Sequence, residues 1–223
     1  MIKLFIFDLD GVLASTSNEH FTAWKKVIKD RFKVDIEDFV EEKTKGVSRM
    51  ESLNRILETY NINISDSEKI ELAYLKNEKY KELISGFNES NLFKGVKELF
   101  EFLKSNNILI ALGSASKNGP KLIESLTIEK YFDYIVDPGP LESKPHPDIF
   151  NAAMNHFSLK SHECIGIEDA ISGVKAIKSA EMIAIGIGKK EVLSQADYIF
   201  KNIESINYSF LETLIKDNYG KIN

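Results

Sequence analysis

Short runs of consecutive apolar residues, each bounded by turn-forming residues, recur along the chain at 4–7, 108–112, 134–136, 165–167, 183–187 and 198–200. A strand with one wet face alternates apolar and polar positions. Unbroken apolarity instead suits a strand covered on both faces, so these runs predict a parallel sheet. Amphipathic stretches of helical period lie between most of them. Val96, Leu99, Phe100 and Leu103 make one apolar stripe; Ile171, Val174 and Ile177 make part of another. Strand alternating with helix predicts right-handed crossovers and a doubly wound, Rossmann-like α/β core.

The alternation lapses once. From about Thr16 to about Glu89 no buried strand is readable, only helical period: Phe21, Trp24 and Ile28; Leu53, Ile56 and Leu57; Ile70, Leu72 and Leu75. Thr16 or Ser17 is placed to cap the first of these helices, and Ser65 or Asp66 the last. The expectation is a helical cap of residues 16–89, inserted after the first strand of a core built from residues 1–15 and 90–223. Its two joins, near residues 11–15 and 86–92, can lie side by side and act as a hinge. A chain of 223 residues has room for such a core and a smaller companion.

Composition narrows the function. With 29 basic and 34 acidic side chains the formal net charge is −5, which disfavours non-specific binding to nucleic acid or an anionic membrane. An anionic ligand must then be drawn by local basic groups. The one cysteine, Cys164, excludes an internal disulfide and lies in an apolar run that predicts a buried structural thiol. No signal-peptide pattern opens the sequence, and no apolar run approaches the roughly 20 residues of a membrane helix. A cytoplasmic monomer is expected.

Ligands of open α/β sheets collect beyond the carboxyl ends of the strands. Asp8 and Asp10 follow the first predicted strand and Ser114, Ala115 and Ser116 the second. Lys144 follows the third, and Glu168 with Asp169 the fourth. Four carboxylates, a hydroxyl and a lysine thus converge from distant positions. Asp8 and Asp10, two apart, point the same way on extended backbone. Such an anionic cluster needs a cation, and hard oxygen ligands suit Mg²⁺. Backbone N–H groups beside Ser114 can form an anion-binding turn, and Lys144, before Pro145 and Pro147, is aimed at a transferring phosphoryl group. Each feature alone has a plainer reading: a turn for Asp8 to Val12, a polar loop for Ser114, a solvated surface for Lys144.

Phe7-Asp8-Leu9-Asp10-Gly11-Val12, Gly113-Ser114, Lys144-Pro145 and Gly166-Ile167-Glu168-Asp169, taken in order, resemble the four motifs of haloacid-dehalogenase-type phosphotransferases, whose cap matches the helical insertion. The resemblance implies that Asp8 takes up the phosphoryl group as an aspartyl-phosphate. Asp10 would act as general acid and base and lend its carbonyl to the metal. Ser114 and Lys144 would hold phosphoryl oxygens, while Glu168 and Asp169 anchor Mg²⁺ together with Asp8.

A narrower likeness is to the β-phosphoglucomutase branch. It rests on His20-Phe21 with Trp24, Lys45-Gly46-Val47-Ser48-Arg49 with Ser52, Lys76-Asn77, and Ser114-Ala115-Ser116-Lys117-Asn118-Gly119-Pro120. It implies a small sugar phosphate as substrate, with Arg49, Lys117 and Asn118 gripping a second phosphate and His20, Trp24, Ser52 and Lys76 meeting the sugar. Trp24 reads equally well as cap core, His20 as a surface residue and Lys76 as part of a solvated lysine face. The implied reaction converts β-D-glucose 1-phosphate to glucose 6-phosphate; a sugar-phosphate phosphatase is the alternative. Ser15 and His146 depart from the family pattern. His156 and His162 read as surface residues.

Overall fold

The six apolar runs pair as one parallel sheet in a computed structural model that describes residues 1–216. β1 (Leu4–Phe7) lies at the centre, between β2 (Leu109–Leu112) and β4 (Cys164–Glu168). β3 (Tyr134–Ile135) extends one edge, and β5 (Ile183–Ile187) and β6 (Tyr198–Phe200) the other, giving the order β3-β2-β1-β4-β5-β6. Strand order reverses beside β1, and this is the crevice where such sheets bind ligands.

Apolar layers on both faces explain the unbroken runs. Phe5 and Phe7 pack into a cluster with Val96, Leu99, Phe100 and Leu103 of α5 (Val96–Ser105). Leu4 and Ile6, on the opposite face, join Phe150 of α7 (Asp148–His156) and Val174 and Ile177 of α8 (Ile171–Ser179). The stripe expected on α8 is shorter than read: Ile171 is 43% exposed. It is the first residue of its helix, three residues beyond the end of β4. Cys164 is buried in β4 as expected, and burial pushes its thiol up to about 12.

Residues 17–83 form α1 (Ser17–Phe32), α2 (Phe39–Thr44), α3 (Arg49–Thr59) and α4 (Asp66–Leu83), with an apolar cluster of their own that includes Trp24, Ile28, Val40, Leu53, Ile56 and Leu72. The stripe read as Ile70, Leu72 and Leu75 is corrected. Ile70 is 65% and Leu75 45% exposed, while α4 buries Leu72, Ala73, Lys76 and Tyr80. Positions 72, 76 and 80 recur at the helical spacing of four; 70 and 75 lie on other faces. Ser65 caps α4 in a reciprocal pair with Glu68, as expected of Ser-x-x-Glu. Thr16 precedes α1 but makes no cap bond. Its hydroxyl is drawn to Asp10 instead.

The two connections to these helices meet. Ala14 bridges both Asp10 and Leu92, and the Phe93 N–H donates to the Leu13 carbonyl at 2.8 Å. Among the described residues, no helix is long and apolar enough to cross a membrane.

Candidate active site

Register builds the site. Phe7 lies opposite both Leu112 and Ile167, so Asp8, Gly113 and Glu168 leave three adjacent strands side by side. The Asp8 N–H donates to the Ile167 carbonyl at 3.0 Å and the Gly113 N–H to the Phe7 carbonyl at 2.8 Å, which continues the ladder to the point where the carboxylates emerge.

Lys144 is 1% exposed, so the solvated-surface reading falls. Its ammonium donates to Asp8 Oδ1 at 2.6 Å and Glu168 Oε1 at 2.7 Å, and lies 5.2 Å from the centre of the Phe150 ring. Burial works against this charge, but Asp8 and then Glu168 outweigh it and hold the lysine above its ordinary range. The other oxygen of Glu168 accepts the N–H groups of Asp169 and Ala170 at 2.9 and 3.0 Å, fixing the turn into α8.

Asp8, Glu168 and Asp169 each offer an oxygen, all within 4.8 Å of one another. The three carboxylates outnumber the ammonium groups that face them, Lys144 in direct contact with two and Lys45 acting on Asp169. Burial pushes Asp8 up to about 7 despite Lys144, with Glu168 and Asp10 adding to the rise. Burial, then Glu168 and Asp8, push Asp169 well above the usual carboxylate range. A hard divalent cation fits this donor set in charge and in ligand type. Gly11 keeps the space tight: at φ +84° it lies so close that a Cβ would stand 2.0 Å from Asp169 Oδ2. Left-handed geometry and contact both require glycine there.

All four expected carboxylates act on one another, but Asp10 is not among the three whose oxygens lie within 4.8 Å. The Asp10 side chain turns away, accepting the Thr16 hydroxyl and facing His20 Nε2 at 3.5 Å. The Asp8 N–H still completes the ladder, but the Leu9 carbonyl already accepts the N–H groups of Val12, Leu13 and Ala14, so the chain turns before the extended spacing of two reaches Asp10. Burial alone would raise the Asp10 carboxyl; His20, Thr16 and Lys76 outweigh it and hold it below its usual range. Burial and the Lys76 charge in turn lower His20, which favours the neutral ring. A neutral ring protonated on Nε2 leaves Nδ1 free to accept from Lys76. His20 stacks on Tyr80 with ring centres 3.8 Å apart. Lys76, 3% exposed, sits against Trp24 and Tyr80, and burial followed by the Arg49 charge pushes it down to about 7. The solvated-face reading of Lys76 is thereby overturned.

Several of these groups line one cavity of about 340 Å³. Asp8, Asp10 and Lys144 line one part; Ala115, Ser116 and Lys117 come from the loop after β2. His20, Trp24, Gly46, Val47, Ser48, Arg49, Ser52 and Lys76 come from α1, α3, α4 and the loop before α3. Trp24 belongs to the helical cluster and also lines the cavity. Ser114 lies just behind, 3% exposed, accepting the Ser116 N–H at 3.1 Å and leaving its own O–H for a ligand. Asn118 is reached through Asn77, whose side-chain Oδ1 accepts from Arg49 at 2.6 Å and from the Asn118 side-chain amide at 3.0 Å. Ser15 and His146 are exposed; His146 Nδ1 lies 2.9 Å from Asp148.

A sequence model of haloacid dehalogenase-like hydrolases matches residues 2–181. The chain belongs to the haloacid dehalogenase-like hydrolase family. It is 39% identical to the β-phosphoglucomutase of Bacillus subtilis over 216 residues, 94% of each chain. It is 33% identical to a phosphorylated carbohydrates phosphatase of Thermotoga maritima over 185 residues, 80% of this chain and 82% of that one. The fold superposes on a crystal structure of β-phosphoglucomutase from Clostridium difficile with a TM-score of 0.92 at 39% identity, covering 96% of this chain and 97% of that one.

Four contacts around this haloacid dehalogenase-like site escape the sequence reading: Thr16 on Asp10, Tyr80 under His20, and Ser143 and Ser172, which bond the backbone of the 45–48 loop. Thr16 and Tyr80 each had a commoner use available, as helix cap and helix core. The serines carry no pattern at all.

Proposed function

We propose that the protein is a Mg²⁺-dependent β-phosphoglucomutase, interconverting β-D-glucose 1-phosphate and glucose 6-phosphate through phosphorylated Asp8 and a bisphosphorylated sugar. The observation that carries this reading is a cavity with cationic groups at two places. Lys144 stands beside Asp8, while Arg49, tied through Asn77 to Asn118, and Lys117 serve the same cavity from elsewhere. A hydrolase needs one phosphate pocket; a mutase must hold a second phosphate while the first moves.

The Asp8 carboxylate attacks phosphorus, and the Ser114 hydroxyl and Lys144 ammonium hold the equatorial oxygens. Asp10, kept anionic by its neighbours, accepts the proton of the sugar hydroxyl that attacks phosphorylated Asp8. It returns that proton to the leaving oxygen in the reverse transfer. Thr16 and His20 hold its carboxylate in position. Mg²⁺, held by Asp8, Asp169 and the Asp10 carbonyl with Glu168 in support, would neutralise charge on the transferring group.

Two results are expected. Chelation abolishes turnover and added Mg²⁺ restores it, and Asp169→Ala raises the Mg²⁺ needed for half-maximal rate by at least about tenfold, because Mg²⁺ tolerates few departures from octahedral oxygen ligation. Full activity after exhaustive chelation would remove the metal from the mechanism. Arg49→Ala lowers mutase kcat/KM by about ten- to a hundredfold, the worth of a charge-assisted hydrogen bond. Hydrolysis of p-nitrophenyl phosphate, which has no second phosphate, falls far less. Equal losses on both substrates would withdraw the second phosphate site and leave a sugar-phosphate phosphatase as the better reading.

A further inference from the structure

The loop of residues 45–48 reaches across to the sheet domain through two hydrogen bonds that flank a glycine. The Ser172 hydroxyl donates to the Lys45 carbonyl at 2.9 Å, and the Ser48 N–H donates to the Ser143 hydroxyl at 2.7 Å. Gly46 lies between them at φ +69°. A Cβ there would stand 2.7 Å from Ser172 Oγ and 2.8 Å from the Ala170 Cβ, so only a bare backbone can approach this closely. Both bonds use main-chain groups of the loop, and so they record its position whatever side chains it carries.

The sheet-domain ends of these bonds sit beside the buried charges. Ser143 adjoins Lys144, the lysine that bridges Asp8 and Glu168. Its segment is braced on either side: the Ser143 carbonyl accepts the His146 N–H at 3.0 Å, and the Glu142 N–H donates to Asp148 Oδ2 at 3.1 Å. Ser172 lies in the first turn of α8, directly after the Glu168–Ala170 turn that Glu168 itself fixes. On the other side, the residue after Ser48 is Arg49. A displacement of the loop therefore moves Arg49 relative to Asp8.

We propose that Ser143 and Ser172 are positioning residues which latch the 45–48 loop over Asp8 and thereby decide whether its phosphoryl group passes to a sugar hydroxyl or to water. This rests on the mutase reading and adds the residues that set its fidelity. Neither serine touches the reacting atoms. Their hydroxyls hold the loop shut, and a shut loop excludes the water that otherwise competes for the phosphorylated carboxylate. The balance is simple. Transfer to sugar forms an O–P bond to the sugar oxygen, breaks the Asp8 O–P bond and passes the hydroxyl proton to Asp10; leakage replaces the sugar hydroxyl by water, with the proton again going to Asp10, and releases inorganic phosphate.

The experiment compares Ser143→Ala, Ser172→Ala and the double variant in the full chain, with glucose 6-phosphate formation and phosphate release measured in the same reaction. Each single change is expected to lower the ratio of transfer to hydrolysis by about three- to tenfold, the effect of one neutral hydrogen bond, and the double by more. Hydrolysis of p-nitrophenyl phosphate does not fall with the transfer rate, because water discharges its phosphoenzyme and an open loop admits water. Ser143→Thr, which keeps a hydroxyl, restores the ratio. A proportional fall of both products, or an unchanged ratio, overturns the latch. If the unaltered protein hydrolyses sugar phosphates and forms no isomer, the mutase reading fails on its own. The latch is then read from kcat/KM for the sugar phosphate relative to p-nitrophenyl phosphate, which falls in the same variants if the latch holds and stays level if it does not.

Discussion

Asp8→Asn is expected to be folded and inert. The amide keeps the shape of the side chain but cannot attack phosphorus, and no other carboxylate can take its place. Glu168 is committed to Lys144 and two backbone N–H groups, Asp169 stands against Gly11, and Asp10 is turned towards Thr16 and His20. Loss of a nucleophile costs about 10⁶-fold in a well-studied hydrolase, and a fall of at least about 10⁴-fold is expected here on both sugar phosphate and p-nitrophenyl phosphate. Stability should change little, because Lys144 keeps Glu168 and one of the crowded negative charges is gone. Asp10→Asn provides the contrast: it should still take up a phosphoryl group, yet turn over slowly for want of a proton acceptor. Circular dichroism establishes folding, and the two assays decide the role. Turnover above a trace in folded Asp8→Asn would remove Asp8 as nucleophile.

Lys144→Ala is expected to be the most destabilising single change at the site. Its ammonium lies 2.6 and 2.7 Å from two carboxylates that are themselves almost wholly buried. Removing one partner of a buried ionic group leaves uncompensated charge, at a cost of about 3–5 kcal/mol. The loss should be partly recovered by Mg²⁺, since a cation that binds only the folded protein stabilises it by mass action. Denaturant titrations with and without Mg²⁺ should show a larger metal effect in the variant than in the unaltered protein. A loss below about 1 kcal/mol would mean that Asp8 and Glu168 do not depend on this lysine for their charge. Activity should fall with either outcome, because the phosphoryl oxygens lose their nearest cation.

The sheet was legible because burial on two faces leaves a plain signature, as in residues 4–7, where alternate side chains serve opposite clusters. The strand ends were legible for a related reason: parallel strands deliver whatever follows them to one edge. Helix α4 was harder, because its buried face carries Lys76 and Tyr80 as well as Leu72 and Ala73. Hydrophobic period identifies a core face and fails on a face that lines a polar cavity. Asp10 lies in the cavity as expected but faces Thr16 and His20, because a spacing of two aligns side chains only while the chain stays extended. The latch serines were invisible, for a serine that holds a distant backbone looks like any other serine until the backbone arrives.

The bridge from Ala14 to Leu92 has a consequence for how such a protein could change over time. The chain leaves the sheet and returns to it at nearly the same point, so everything between is an excursion whose ends are already joined. Closing a loop costs free energy only as the logarithm of its length. Helices could thus be lengthened, shortened or exchanged within that excursion while β1 stays aligned with β2 and β4. Asp8, Lys144 and Glu168 would keep their places as the wall above them was rebuilt for another ligand. Chemistry and ligand choice occupy one cavity, yet they are inherited through separable stretches of chain.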